Sequence, residues 1–366
     1  MFKKNKKIIQ IEPWINHQEA FQLLRVIKNK YLTENKLTEE FENKIKELTK
    51  SKYAVSIANG SLAIYAILKV LGIGPGDEVI VPDLTFVATA NSVLMTGAKP
   101  ILCDVKKENW GIDPNQVLKL INKNTKAVIP VHLYGFSASI LKLKDICRDK
   151  NIYLLEDAAQ GVGVLYKNRH VGTFGEAGIL SFYGNKTITC GEGGIVLTNS
   201  AKIAKDIYKL KNHGRERKGI FEHECIGYNL SFTEMQAAIG IAQLKKLNKI
   251  INKKQKIHER YRKRINSNLS FTPEALNTRQ VHWFTSLKSK NVINLQKFLN
   301  NKNIQTRRIF LPLHMQPCFQ NLLNVKDNFP NSTYIYDNYL SLPSSYKLRN
   351  NEIDKISFLI NKFELT

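Results

Sequence analysis

Between Tyr53 and Asn199 the chain alternates short apolar runs with stretches of helical periodicity. "YAVSIA" (Tyr53–Ala58) precedes a helical pattern over Leu62–Leu71 that closes on "GIGPGDE". "EVIVP" (Glu78–Pro82) leads into Thr85–Thr96, followed by "KPILCDV", "AVIPVHL" (Ala127–Leu133) and a helical Ile140–Lys150. "IYLLEDAAQ" (Ile152–Gln160), "GILSFY" (Gly178–Tyr183) and "GIVLTN" (Gly194–Asn199) complete the series. These runs are nearly continuous in Val, Ile and Leu, as strands covered on both faces must be. Strand–helix alternation predicts an α/β fold, with a mainly parallel central sheet and helices on both faces.

After Lys249 the pattern changes. "INKKQKIHERYRKRINS" reads as a long, charged amphipathic helix. Strand-like "VHWFTSLK", a helix near Val292–Asn301, "IQTRRIF" and two further helical stretches follow. The expected organisation is a large α/β domain over residues 1–249 and a small α+β domain over residues 250–366.

Composition narrows the class. With 366 residues, 43% of them hydrophobic, the chain can bury a large core. No apolar run approaches the roughly 20 residues needed to cross a bilayer. The N-terminus, "MFKKNKKIIQIEPW", is basic and lacks the apolar segment of a secretory signal. The expectation is a cytoplasmic protein with no membrane partner. The five cysteines are odd in number and far apart, with no C-x-x-C, so neither a disulfide framework nor a metal site is expected. The net charge of +24 raises nucleic acid as a partner. The lysines are spread along the whole chain, and no zinc finger, RNP-like run or basic tail occurs, so a solvated basic surface is the preferred reading.

Candidate chemistry lies at strand ends, where ligands bind in α/β sheets. "YAVSIANGS" ends in Asn59, Gly60 and Ser61 directly before a helix, which suits an anion held by backbone N–H groups and the helix dipole. The alternative is that Ser61 merely caps the helix. Asp157 ends a strand that should be buried, and a carboxylate there needs a partner. Phe86, in "DLTFVATAN", either covers a flat ring or packs in the core. "SFYGNKTITCGEGG" (Ser181–Gly194) places Lys186 between an apolar run and three glycines. A desolvated lysine can react as a neutral amine, whereas a surface lysine stays charged.

The set "GIGPGDEVIVPDLTFVATANSV", "GAKPILCDV", "TKAVIPVHLYG", "LLEDAAQGVG", "SFYGNKTITCGEGGIVLTN", "GYNLSFTEMQAAIGIAQL" and "RRIFLPLHMQP" resembles the nucleotide-sugar aminotransferases of the DegT/StrS type. The resemblance covers nearly the whole chain. It implies a fold type I transferase dependent on pyridoxal 5'-phosphate. In that reading Lys186 carries the cofactor and then moves protons between carbon atoms, and Asp157 faces the pyridine nitrogen. Phe86 stacks on the ring and Gln160 lies near its phenolic oxygen. Gly60, Ser61 and Ser181 hold the phosphate. Asn229 reaches it from the other subunit of a homodimer, and His314 lies near the substrate. Lysine at position 186, where the family's 3-dehydratases have histidine, implies transamination.

"GNKTIT" followed by "GEGG" is similar to members that aminate C4 of a GDP-linked 4-keto-6-deoxy sugar. The implied reaction passes the amino group of glutamate to such a sugar. Amination at C3 is one alternative; a small phosphorylated ketone, prompted by the positive charge and by Ser231 where the family usually has arginine, is another. A non-enzymatic regulatory or binding protein on the same fold is the rival class.

Overall fold

The computed structural model describes residues 7–217, 219, 221–272, 276–320 and 328–365. Residues 1–6, the start of the basic N-terminal stretch, lie outside them.

Two amphipathic helices, α1 (His17–Asn29) and α2 (Lys36–Thr49), precede the first strand, β1 (Tyr53–Ile57). The alternation then runs α3 (Gly60–Val70), β2 (Glu78–Pro82), α4 (Ala88–Met95), β3 (Lys99–Cys103), α5 (Pro114–Leu120), β4 (Thr125–Val128), α6 (Ile140–Asp149) and β5 (Tyr153–Asp157). Short strands β6 (Leu165–Tyr166) and β7 (Arg169–His170) form a hairpin before β8 (Ala177–Ser181), β9 (Gly194–Thr198), α7 (Ala201–Lys211) and α8 (Glu234–Arg264). The remainder is β10 (Thr278–Arg279), β11 (Ser286–Lys288), α9 (Val292–Asn301), β12 (Arg307–Arg308), α10 (Pro330–Asn338), β13 (Tyr339–Ser341) and α11 (Asn350–Glu364).

The central sheet has seven strands in the order β1-β9-β8-β5-β4-β2-β3. It is mainly parallel, as expected; only β9 runs against its neighbours, β1 and β8. Its pleat sorts side chains between two layers. Ile195 and Leu197 of β9 face a core shared with α2 and α8, while Val196 faces the core of α3 and α7. Ile80 of β2 packs with α5 and α6, while Val79 and Val81 join the α3 side. Helices therefore cover both faces, which is why the strands read as unbroken apolar runs.

α8 is one continuous helix of 31 residues, and the proposed division at 249/250 falls inside it. Its first half supplies Ala237, Ile241 and Leu247 to the sheet core, and its second half supplies Ile257 and Tyr261 to the C-terminal core. Glu234 in its first turn also accepts the N–H groups of Asn35, Leu37 and Thr38, so it caps α2. β11, β12 and β13 form a separate three-stranded sheet backed by α9 and α11. No helix among the described residues is long and apolar enough to cross a membrane.

The ends of β1, β5 and β8 and the start of β9 meet on one edge, since Gly194 pairs with both Ile57 and Ser181. Backbone there is tightly apposed. A Cβ on Gly194 would lie 2.4 Å from the carbonyl oxygen of Asn59. Gly194→Ala is therefore expected to cost about 1–3 kcal/mol, typical of an overpacked site, when unfolding is followed in denaturant. An unchanged midpoint would show that the β1–α3 turn yields freely.

Candidate active site

The turn after β1 is set by Asn59, not Ser61. Asn59 has extended backbone and its side chain accepts the Leu62 N–H at 3.0 Å, capping α3. The cap reading of Ser61 is thereby corrected. Asn59 satisfies the Leu62 donor, and the N–H groups of Gly60 and Ser61 remain as first-turn donors without intrahelical acceptors. The β8 end closes the turn: a Cβ on Gly60 would stand 3.1 Å from the Ser181 Cβ. Glycine there lets Ser181 approach the helix start.

β5 ends in two adjacent acids with different surroundings. Glu156 turns toward a loop, accepting the N–H groups of Gly172 at 2.8 Å and Gly175 at 2.9 Å and pairing with His132 at 3.0 Å. Burial works against its charge, but the bonds from His132, Gly175 and Gly172 outweigh it and hold the carboxyl below its usual range. Asp157 turns to the opposite side. One carboxylate oxygen accepts the Thr89 hydroxyl at 2.8 Å and the other the Ala159 N–H at 3.0 Å. Thr89 in turn meets the Thr85 hydroxyl at 3.0 Å.

Lys186 follows β8 on a tight loop, where its N–H bonds back to the Tyr183 carbonyl. The side chain is half-buried and its Nζ lies 4.7 Å from the Trp283 ring centre. Burial pulls its pKa down to about 8, against the opposing pull of Asp157. Among the described residues its amine has no hydrogen-bond acceptor.

These groups line one cavity of about 630 Å³. Gly60, Ser61 and Ser181 form one part of its wall, with Asp157, Gln160 and Lys186 beside them. Gln160 is nearly buried and its carboxamide oxygen accepts the Tyr134 N–H at 2.6 Å, which leaves its NH₂ group for the cavity. Phe86 is 53% exposed; its ring rests on Phe310, 5.6 Å between centres, with a face bare to the cavity. Asn229 is exposed and is not part of this wall. His314 also stands outside it, with Nδ1 2.7 Å from Asp83 and its ring stacked on Phe329. The sequence reading missed Thr89, which supports Asp157, and Trp283 and Arg307, which line the cavity. Thr89 lies one helical turn beyond Thr85, a spacing that could have exposed it. Trp283 and Arg307 come from the C-terminal segments; Arg307 opens the stretch "RRIFLPLHMQP" but was given no role, and no local pattern marks Trp283.

The donor set suits pyridoxal 5'-phosphate. Open N–H donors and a hydroxyl meet a phosphate, a buried carboxylate meets a cationic ring nitrogen, a bare aromatic face meets a flat ring, and a readily deprotonated amine meets an aldehyde. A site of this kind on this sheet defines a fold type I pyridoxal phosphate-dependent transferase.

The sequence pattern of the DegT/DnrJ/EryC1/StrS aminotransferase family matches residues 13–360. The GDP-perosamine synthase of Vibrio cholerae is 35% identical over 363 residues, covering 96% of this chain and 98% of that protein. The GDP-perosamine synthase of Escherichia coli O157:H7 is 35% identical over 328 residues, 89% of each chain. The structure of S. venezuelae DesV superposes with a TM-score of 0.91 at 27% identity, covering 96% of this chain and 95% of that one. The chain belongs to the DegT/DnrJ/EryC1/StrS aminotransferase family, and it is a pyridoxal phosphate-dependent sugar aminotransferase.

The depressed Lys186 pKa has two consequences. The neutral amine should reach half its full reactivity near pH 8, whereas an exposed lysine does so near its usual value of roughly 10.4. The folded chain also releases this proton more readily than the unfolded chain, so the Lys186 contribution to stability rises with pH across that interval. Amine-selective acylation of the cofactor-free protein at a series of pH values, read on the Lys186 peptide by mass spectrometry, checks the first. A midpoint at the ordinary lysine value would overturn it.

Proposed function

We propose that this chain transfers the amino group of glutamate to a keto sugar carried on a nucleoside diphosphate, at C4 of a 4-keto-6-deoxyhexose. The observation that carries the reading is one cavity shared by Lys186, Asp157 and the Gly60–Ser61–Ser181 turn. The two relatives named for GDP-perosamine synthesis, similar over most of the chain, favour the sugar class.

Bound pyridoxal phosphate supplies an electron sink conjugated to the carbon that gains or loses a proton. The protein supplies position and proton transfer. The donors of Gly60, Ser61 and Ser181 hold the phosphate. Asp157, fixed by Thr89 and Ala159, offers a carboxylate to the protonated ring nitrogen. Phe86 covers one face, and the Gln160 NH₂ group meets the phenolic oxygen. Lys186 takes a proton from one carbon and returns it to another. Arg307, exposed on the cavity wall, adds a guanidinium suited to anionic substrates.

The proposed working unit is a cytoplasmic homodimer with the active site at the interface. Asn229 is exposed, outside its own cavity, on a loop that leaves Ile226 86% exposed; this supports its reaching the partner's phosphate. His314 is proposed to lie near the sugar. Its tie to Asp83, three residues before Phe86, joins that loop to the C-terminal region.

Glutamate should bleach the visible absorption of the holoenzyme, and a nucleoside diphosphate 4-keto-6-deoxyhexose should restore it. Restoration by a 3-keto sugar or a small phosphorylated ketone instead would move the assignment to that substrate. Lys186→Ala should transaminate at least about 10²–10⁴-fold more slowly, the usual worth of a positioned acid–base group. Turnover at the wild-type rate would sink the mechanism.

A further inference from the structure

We propose that Trp283 is a positioning residue for Lys186, itself held from behind by the buried amine of Lys254. Trp283 is 2% exposed. Its indole N–H donates to the carbonyl of Asn185, the residue directly before Lys186, at 2.7 Å. Its ring carries the Lys186 amine 4.7 Å from its centre. One side chain therefore touches the reactive lysine twice, through the backbone at its root and through the π face at its tip. An ammonium over an indole is attracted by the ring quadrupole, so the amine rests there without taking up an acceptor.

Lys254 fixes the other end. It projects from α8, is almost fully buried, and its Nζ donates to the Trp283 carbonyl at 2.9 Å. A buried ammonium is costly unless it is well partnered, so it carries a defined task. It acts through the tryptophan rather than by charge: burial and Asp157 are the influences on the Lys186 amine. Lys254 and Lys186 both wall a small cavity of about 20 Å³, together with Trp14, Ile250 and Tyr346. The chain Lys254–Trp283–Asn185–Lys186 thus connects the longest helix to the reactive amine through polar contacts.

Were Trp283 only a core residue of its aromatic cluster, with Tyr134, Phe284 and Phe310 around it, its N–H would be expendable and Trp283→Phe would be silent at the site. The proposal requires otherwise. Pyridoxal phosphate is added to cofactor-free protein, and the appearance of the bound cofactor's visible band is timed. Trp283→Phe, which keeps a ring but loses the N–H, is expected to attach the cofactor about 10- to 100-fold more slowly, the scale of a small misplacement of a reacting group. Steady-state kcat should fall over the same range while the sugar-nucleotide KM stays within about twofold. Lys254→Met should shift both rates the same way, and Lys254→Arg, which restores a donor, should recover most of the loss.

Attachment at the wild-type rate by either Trp283→Phe or Lys254→Met would overturn the proposal. Should Trp283→Phe fail to fold, Lys254→Met with its Lys254→Arg rescue decides. The inference rests on Lys186 being the reacting amine, and Lys186→Ala separates the two ideas. A Lys186→Ala protein that still forms the band removes the functional reading, and this proposal with it. A silent Trp283→Phe beside an inert Lys186→Ala removes only the role of the tryptophan.

Discussion

A carboxylate and an amine must share one cavity without neutralising each other as a plain ion pair. Asp157 and Lys186 are 29 positions apart, and most of the site's construction serves to keep both available. Asp157 gives one oxygen to Thr89 and the other to Ala159, so its direction is set by the protein and not by the lysine. Lys186 is drawn two ways. Burial disfavours its charge, the nearby carboxylate favours it, and burial wins far enough to bring it to about 8. An amine buried without the carboxylate would fall further, and one paired closely with it would stay protonated and unreactive.

The sheet makes that arrangement possible. The order β1-β9-β8-β5 sets the ends of β1, β8 and β5 along one edge, and the reversed strand β9 begins at the same edge. Ligands in α/β sheets sit beyond such carboxyl ends. The convergence leaves little room, which accounts for the small residues. Gly60 admits Ser181, and Gly194 admits the Asn59 carbonyl. Asn59 can then cap α3 with its side chain and leave the following donors for an anion. The cavity's far wall is aromatic and comes partly from the C-terminal segments. Phe86 leans on Phe310, which in turn meets Tyr134, whose backbone N–H orients Gln160.

Much of this was legible in the sequence, for a definable reason. Doubly covered strands leave unbroken apolar runs, and α9 occupies the predicted Val292–Asn301 span. The residues that close a site between strand ends sit in short motifs next to those runs, so Gly60, Asp157, Ser181 and Lys186 could be read in order. What stayed hidden was decided at long range. The reversed direction of β9 depends on its partners, since "GIVLTN" reads the same either way. Helix α8 begins well before Lys249 because Thr233 and Gln236 form a capping box there, a signal overlooked beside the more conspicuous charged stretch. Thr89 and Trp283 act on Asp157 and Lys186 from 68 and about 97 positions away; the Thr85–Thr89 spacing hints at the first contact, but no local spacing encodes the second.

The question of why one lysine among so many is the one proposed to do the chemistry has a structural answer. Most charges of this basic chain are solvated, and exposed ion pairs such as Lys202–Asp206 contribute little. The lysines drawn inside are few, and three of them have fixed acceptors. Lys211 bonds to Glu34 and to the Ser56 carbonyl, Lys246 to Glu19 and the Trp14 carbonyl, and Lys254 to the Trp283 carbonyl. Each is a clamp tied to a fixed acceptor; burial brings Lys254 down to about 8 as well, so what sets Lys186 apart is the missing acceptor and not the lowered pKa alone. Lys186 is given an aromatic face and a neighbouring charge, with no acceptor at bonding distance. An amine held that way is desolvated, aimed and free to lose its proton. Its reactivity follows from the bond it is denied as much as from the contacts it makes.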